Sequence, residues 1–145
     1  MNKDFFTDAE KDSIIAAIKE AETCTSGEIQ VHIESKCKKD VLDRASIVFS
    51  KLQMHKTELR NGILFYLAVS DRKFAILGDT GINKKVHKCF WDDIKSNMQE
   101  KFKEGRFVEG LCEGIRQTGV ELKVHFPCAI DDINELPDEL SFGDD

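Results

Sequence analysis

The sequence predicts a single α/β domain, a three-layer α/β/α sandwich around a small mixed sheet. Two patterns carry this prediction. Three strand-length segments are apolar or alternate between apolar and polar residues, and segments with helical apolar spacing lie before, between and after them, in the order α-β-α-β-β-α-α. The composition agrees, because 145 residues with 41% hydrophobic and 33% charged side chains suit one soluble domain with one core.

Local patterns define the first helix and the first strand. Thr7 and Glu10 form a capping box, which opens a helix that we expect to end near Thr23. Residues 27–34 then alternate between apolar and polar side chains, which predicts a strand with one buried face. The polar face of this strand carries Glu28, Gln30, His32 and Glu34.

A crossover helix and a hairpin complete the predicted sheet. Residues 40–54 place their apolar side chains on one helical face, and residues 63–69 are apolar without alternation, as in a central strand. Because a helix joins the first two strands, they form a central βαβ unit and should be parallel. The turn at residues 70–72 is too short for a crossover, so residues 73–77 should return antiparallel.

The second half of the chain predicts a short helical turn within residues 83–90, two helices at about 91–104 and 107–125, and an acidic tail. Since Pro127 stops the last helix, we place the domain at residues 1–126 and the tail at residues 127–145. Five apolar side chains in the tail lead us to expect that it docks partly on the body: Ile130, Ile133, Leu136, Leu140 and Phe142.

The charge distribution excludes some classes of partner. The chain has 27 acidic and 21 basic residues, and seven of the acids follow Phe126, so the body carries 20 acids against 21 bases. There is no basic stripe for nucleic acid and no apolar run that fits a signal peptide or a membrane span. We therefore expect a cytoplasmic monomer that binds neither nucleic acid nor membranes, with the acidic tail as a candidate contact for a protein partner.

The loop at Asp79 is the first candidate site. A carboxylate between two glycines, Gly78 and Gly81, suits a sharply turned loop that offers oxygen ligands to Ca²⁺ or Mg²⁺. The predicted topology places Glu28 near this loop, and Asp92 and Asp93, which open the next predicted helix, lie within reach. The alternative is a tight turn in which the aspartates only cap helices.

Asp43 and Asp71 form a second candidate metal site at the opposite end of the sheet, where the parallel strands end. Arg72 would clamp an anion beside them. The alternative is a turn aspartate with a surface ion pair. A zinc enzyme and a cysteine phosphatase are disfavoured, because the histidines lack ligand spacing and Cys37 lacks an arginine at the required position.

An ordered set of short motifs runs through the body: Ser26-Gly-Glu-Ile-Gln-Val, Ala45 and Phe49 on a helix, Arg60-Asn-Gly-Ile-Leu, Asp71-Arg72, Gly78-Asp-Thr-Gly-Ile82, Phe90-Trp-Asp-Asp and Gly105-x-x-x-x-Gly-Leu. Over roughly residues 7–126 this set resembles the TPM domain family, which is often labelled TPM phosphatase. The resemblance implies a Rossmann-like α/β/α sandwich, in agreement with the fold predicted above. It also implies divalent-metal binding, chiefly of calcium, and for some members acid phosphatase activity.

Two features differ from the usual form of that family. The common Gly-Tyr-Gly loop is here Gly78-Asp79-Thr80-Gly81, and the signal peptide and membrane anchor of many members have no counterpart in this sequence. We expect a binding or accessory module that takes Ca²⁺ or Mg²⁺. The alternative is a metal-assisted acid phosphatase, a function that rests on the resemblance alone because a shared fold does not carry a shared activity.

Overall fold

A computed structural model describes residues 5–86, 88–127 and 140–143. Helices and strands alternate in the first half, and helices dominate the second. The elements are α1 (Asp8–Glu22), β1 (Glu28–Glu34), α2 (Val41–Lys51), a 3-10 turn (Met54–Lys56), β2 (Gly62–Ala68), β3 (Lys73–Gly78), α3 (Thr80–Asn83), α4 (Lys88–Lys103), α5 (Phe107–His125) and β4 (Ser141–Phe142).

The sheet has the strand order β3-β2-β1-β4. β1 and β2 are parallel, with Glu28 beside Gly62 and Glu34 beside Ala68, and β3 returns antiparallel along β2. These pairings confirm the predicted βαβ unit and hairpin. They also fix the two ends of the sheet: β1 and β2 both start at the end that carries Asp79, and both finish at the end that carries the β2–β3 turn.

Helices cover both faces of the sheet, as the three-layer prediction requires. The odd-numbered residues of β1 and β2, such as Val31 and Phe65, belong to a core cluster with α1, α4 and α5. The even-numbered residues of β2, such as Leu64 and Tyr66, pack instead with Ala45, Val48 and Phe49 of α2. The side of the sheet on which a residue lies therefore follows from its parity in the strand.

α5 packs closely against α1 and α4 because glycines line its contacts with them. A Cβ added to Gly119 of α5 would lie 2.6 Å from both Cα and Cβ of Ala21 in α1. A Cβ added to Gly114 would lie 2.6 Å from Sδ of Met98 in α4. These contacts explain why α5 tolerates glycines in its interior, where each costs about 1 kcal/mol relative to alanine.

Four details differ from the sequence prediction. β1 is buried on both faces, and on its polar face His32 and Glu34 are hydrogen-bonded within the protein rather than lying at a surface. α4 begins at Lys88, about one turn earlier than expected, and the short helical turn occupies Thr80–Asn83 instead of residues 83–90. A two-residue strand, β4, also pairs in parallel with β1 at His32 and Ile33.

Part of the tail prediction lies outside the described residues, namely the anchors Ile130, Ile133 and Leu136 and all seven acids of the tail. The two remaining anchors, Leu140 and Phe142, are half-buried and pack against the first core cluster. Among the helices of the described ranges, none is both long enough and apolar enough to cross a membrane.

Candidate functional site

Asp79 lies at the start of the two parallel strands and is held by an ion pair. Its backbone N–H donates to the carbonyl of Gly62 over 2.9 Å, which places it directly beside β2. Its carboxylate caps α3 by accepting from the Thr80 N–H at 2.7 Å. Nε and Nη2 of Arg60 donate to Oδ2 and Oδ1 of Asp79 at 2.6 and 2.8 Å, so the pair is bidentate.

The two partners of this pair differ in their contact with solvent. The side chain of Asp79 is only 4% exposed, whereas that of Arg60 is 47% exposed. The hydrogen bonds to Asp79 raise the pKa of Arg60, so its charge is permanent. Arg60 has a positive φ of 53°, which directs the loop back towards Asp79. A buried carboxylate is therefore neutralised by an arginine that reaches in from an exposed loop.

Glu28 lies on the other side of Gly62 from Asp79. In the parallel pairing of β1 with β2, Glu28 lies beside Gly62, and it is only 2% exposed. Its N–H donates to the carbonyl of Asn61, and the Asn61 side chain donates to Oγ of Ser26 at 3.3 Å. Glu28, Asn61 and Asp79 thus bring carboxylate and amide groups to one end of the sheet.

Asp92 and Asp93 do not open a helix, because α4 begins four residues before Asp92. Both are exposed. α4 is tied to α3 by Trp91, whose Nε1 donates to Oδ1 of Asn83 at 3.1 Å. Within residues 5–86, 88–127 and 140–143, no three His, Cys, Asp or Glu side chains lie together in a way that could hold a metal ion. The four-carboxylate site therefore remains a prediction.

At the opposite end, Asp71 ties the hairpin turn to the loop that follows β1. Its Oδ2 accepts from the N–H of Cys37 at 2.7 Å, and Nζ of Lys73 donates to the carbonyl of the same cysteine at 3.2 Å. Asp43 is exposed in the first turn of α2, where its N–H donates to the capping carboxylate of Asp40. The second metal site likewise remains a prediction.

A buried polar network at the end of β1 was not predicted from the sequence. The Glu34 carboxylate accepts two hydrogen bonds from Arg44 of α2, with Nε–Oε2 at 2.7 Å and Nη2–Oε1 at 2.8 Å. It also accepts from the Tyr66 hydroxyl, and Nε2 of His32 lies 3.1 Å from Oε1. On its other side, Nδ1 of His32 lies 2.9 Å from Oγ of Ser141 in β4.

The hydrogen bonds of this network fix the charges of its members. Burial by itself would raise the pKa of Glu34, but the bonds from Arg44, Tyr66 and His32 outweigh it and lower the pKa to about 2. Burial and the bond to Glu34 raise the pKa of Tyr66, and burial lowers the pKa of His32. A carboxylate held ionised and a tyrosine held neutral are poor proton-transfer groups at neutral pH. The network joins β1, α2, β2 and β4.

The depressed pKa of Glu34 predicts a loss of stability in acid. Above its ordinary pKa of 4.5 the ionised carboxylate contributes fully, and this contribution is lost as the pH falls through the folded-state value of about 2. His32 acts in the same direction, because its lowered pKa means that only the unfolded chain readily takes up the proton. Urea denaturation of the wild type and of Glu34→Gln between pH 7 and pH 2 measures the effect. We expect the difference in unfolding free energy to shrink below pH 4.5, and a constant difference would contradict the assignment.

Comparisons with known proteins find one matching domain family and several solved structures with a similar fold. The sequence profile of the TPM domain matches residues 1–121. The chain is similar to the BA42 protein of the psychrophilic bacterium Bizionia argentinensis, an NMR structure, with 47% identity, 97% of each chain covered and a TM-score of 0.91. None of the curated proteins matches the chain.

Two more distant NMR structures share the fold. The first is the N-terminal domain of the cg2496 protein from Corynebacterium glutamicum, with 14% identity, 81% of this chain and 74% of that chain covered and a TM-score of 0.65. The second is the N-terminal domain of a protein from P. gingivalis, with 16% identity, 87% and 83% covered and a TM-score of 0.72. At these identities the likeness concerns the fold alone.

Proposed function

The chain belongs to the TPM domain family, and from that premise we propose that it is a binding module that takes Ca²⁺ or Mg²⁺ at the Asp79 end of the sheet. One observation carries the proposal. Asp79 is a buried carboxylate whose counter-charge comes from the half-exposed side chain of Arg60. A divalent cation would take the place of the guanidinium, which would turn outwards into water at little cost because it is already half in solvent.

The donor set supports a cation that retains much of its water. Asp79 and Glu28 flank Gly62 and supply carboxylate oxygens, and the Asn61 side chain lies beside them. Ca²⁺ takes six to eight oxygen ligands, including carbonyls and waters, and Mg²⁺ commonly uses one or two carboxylates and keeps several waters. Two carboxylates fit this second pattern better than they fit a closed calcium cage. In this proposal, Asp92 and Asp93 only add negative charge from α4.

Metal-assisted phosphatase activity is the alternative implied by the family resemblance. The titratable groups whose pKa values are most displaced, Glu34 and Tyr66, bond to each other and to Arg44 rather than to an open cleft. The thiol of Cys37 is buried and donates to the carbonyl of Lys39. These groups are engaged in hydrogen bonds within the protein, so we favour the binding function over hydrolysis.

Replacing the arginine tests the exchange directly. Arg60→Gln removes the competing charge, so we expect the affinity for Ca²⁺ or Mg²⁺ to rise about fivefold, which corresponds to about 1 kcal/mol. Asp79→Asn should abolish binding, because an amide oxygen lacks the charge that holds the ion. The measurement is a titration with each ion, followed by amide chemical shifts, which should cluster at residues 27–29, 60–62 and 78–81.

Arg116→Gln is the matched control, since Arg116 also pairs with a carboxylate, Glu20, but on the outer helices. It should leave the affinity unchanged. Shifts at residues 37–43 and 71 instead would move the ion to the other end of the sheet. An affinity that does not respond to Arg60→Gln would refute the exchange, and the absence of shifts with either ion would refute cation binding altogether.

A further inference from the structure

A cavity of about 240 Å³ opens at the carboxyl end of β2, between the β2–β3 turn and the C-terminal end of α4. Its floor is apolar and largely aromatic. The rings of Phe74 and Phe102 meet edge-on with centroids 5.1 Å apart, and those of Phe102 and Phe107 lie 5.4 Å apart. Leu67 of β2 and Val69, which follows the end of β2, complete this floor.

The rim of the cavity is cationic. Arg72, Lys73 and Lys103 contribute to its lining and are exposed, and Gln99 adds a neutral polar group. Among the described residues that line the cavity there is no Asp or Glu.

Two of the acids that neighbour lining residues in the sequence have their own partners, and the third, Glu100, is exposed and forms no ion pair with Lys103 among the described residues. Asp71 accepts from the N–H of Cys37, and Glu104 accepts from Arg106 at 3.0 Å. Lys73 donates to a backbone carbonyl, a bond that leaves its charge in place. The positive charges of the rim are therefore available to an incoming ligand.

We propose that this cavity binds a small amphipathic anion, a carboxylic acid of about eight carbons. The apolar floor would take the body, and Arg72 and Lys103 would take the carboxylate. The volume is below the roughly 300–1,000 Å³ of pockets for drug-sized ligands, which favours a short ligand. The position fits the same reading, because ligands of open α/β sheets bind at the carboxyl ends of the parallel strands.

Arg72 is placed for this role by its backbone. It has a positive φ of 55°, an uncommon conformation for a residue with a side chain, and lies in the tight turn between β2 and β3. Strained residues of this kind cluster at binding sites. The site lies at the opposite end of β2 from Asp79, a separation of about 20 Å for a seven-residue strand. It is therefore independent of the proposed cation site.

Octanoate is the probe, and octan-1-ol is its neutral counterpart, whose apolar body is one methylene longer. Amide shifts of the full chain in a titration with octanoate should give a Kd of about 1 mM, as expected for a ligand of ten heavy atoms. The shifts should cluster at residues 67–74 and 99–107. Octan-1-ol should bind at least fivefold more weakly, because it lacks the charge that the rim recognises.

Three charge variants locate the carboxylate. Arg72→Gln and Lys103→Gln should each weaken octanoate binding about fivefold and leave octan-1-ol binding unchanged. Lys123→Gln removes the same charge from an exposed position near the far end of α5 and should have no effect on either ligand. The retained binding of octan-1-ol shows that the variants are folded.

Three results would overturn the proposal. Octan-1-ol binding as tightly as octanoate would remove the role of the rim. Inorganic phosphate producing the same shifts as octanoate would reduce the site to a patch for any anion. The absence of octanoate-induced shifts at these residues would show that the cavity does not bind this class of ligand. None of these results concerns Ca²⁺ or Mg²⁺, so the cation proposal would stand or fall separately.

Discussion

Glu34→Gln is expected to lower the free energy of unfolding by about 3 kcal/mol. The substitution keeps the shape of the side chain but removes the charge that compensates Arg44 and orders Tyr66 and His32. Breaking one partner of a buried ion pair costs about 3–5 kcal/mol, because the other charge stays buried. We take the low end because the side chain of Arg44 is 25% exposed and can recover part of its hydration.

Urea denaturation at pH 7 measures this loss, and a double-mutant cycle assigns it. Arg44→Met together with Glu34→Gln should recover part of the loss, since the orphaned guanidinium is then absent. Glu20→Gln is the control: Glu20 bonds to Arg116 at 3.1 Å, but both side chains are more than half exposed, so its loss should cost at most about 1 kcal/mol. Equal effects of Glu34→Gln and Glu20→Gln would show that the buried network contributes no more than a surface pair.

The same network marks where prediction from the sequence stopped. Element order, the parallel βαβ unit and the antiparallel hairpin depend on local spacing and on short connections, and the structure confirms them. The burial of both faces of β1 depends instead on partners that only the fold brings together. Arg44 of α2 bonds to Glu34 of β1. The contact depends on how the loop between them places α2 over the sheet, which no spacing in the sequence specifies.

One signal for the network was present in the sequence. Tyr66 is the chain's single tyrosine and lies in an otherwise apolar strand, and a buried tyrosine hydroxyl usually finds a hydrogen-bond partner. Glu34 and His32 were available on the polar face of the neighbouring strand. β4 offered no such signal, because two residues are too few to show alternation.

The Asp79 loop also has one feature that the sequence predicts and one that it does not. A glycine-bracketed aspartate at the end of a strand predicts a turn and a helix cap, and Asp79 does cap α3. Its pairing with Arg60, nineteen residues earlier, depends on the positive φ of Arg60 in an irregular loop. Since arginine has no preference for that conformation, the sequence could not predict the pair. The carboxylates proposed to bind a cation were therefore identified without the arginine that neutralises one of them.

Gly81→Ala is expected to destabilise the protein by about 3 kcal/mol or more and to separate Arg60 from Asp79. A Cβ at this position would lie 2.0 Å from the carbonyl oxygen of Leu59 and 2.5 Å from that of Arg60. Both atoms belong to the backbone, so relief requires the loop to move away from α3, and overpacking of this kind costs about 1–3 kcal/mol or more. The movement would also break the bond from the Gly81 N–H to the Arg60 carbonyl, now 2.8 Å long.

Gly105→Ala is the control for the close contact between Gly81 and the loop at residues 59 and 60. Gly105 has a φ of +78°, but the position that a Cβ would take lies in open space, so its substitution should cost only the conformational strain of about 1 kcal/mol. Urea denaturation compares the two, and amide shifts at residues 57–62 report whether the loop has moved. If Gly81→Ala costs no more than Gly105→Ala and leaves those shifts in place, the loop is free to adjust. In that case the contact between α3 and the loop does not position Arg60, and the ion pair with Asp79 must be held by the two side chains alone.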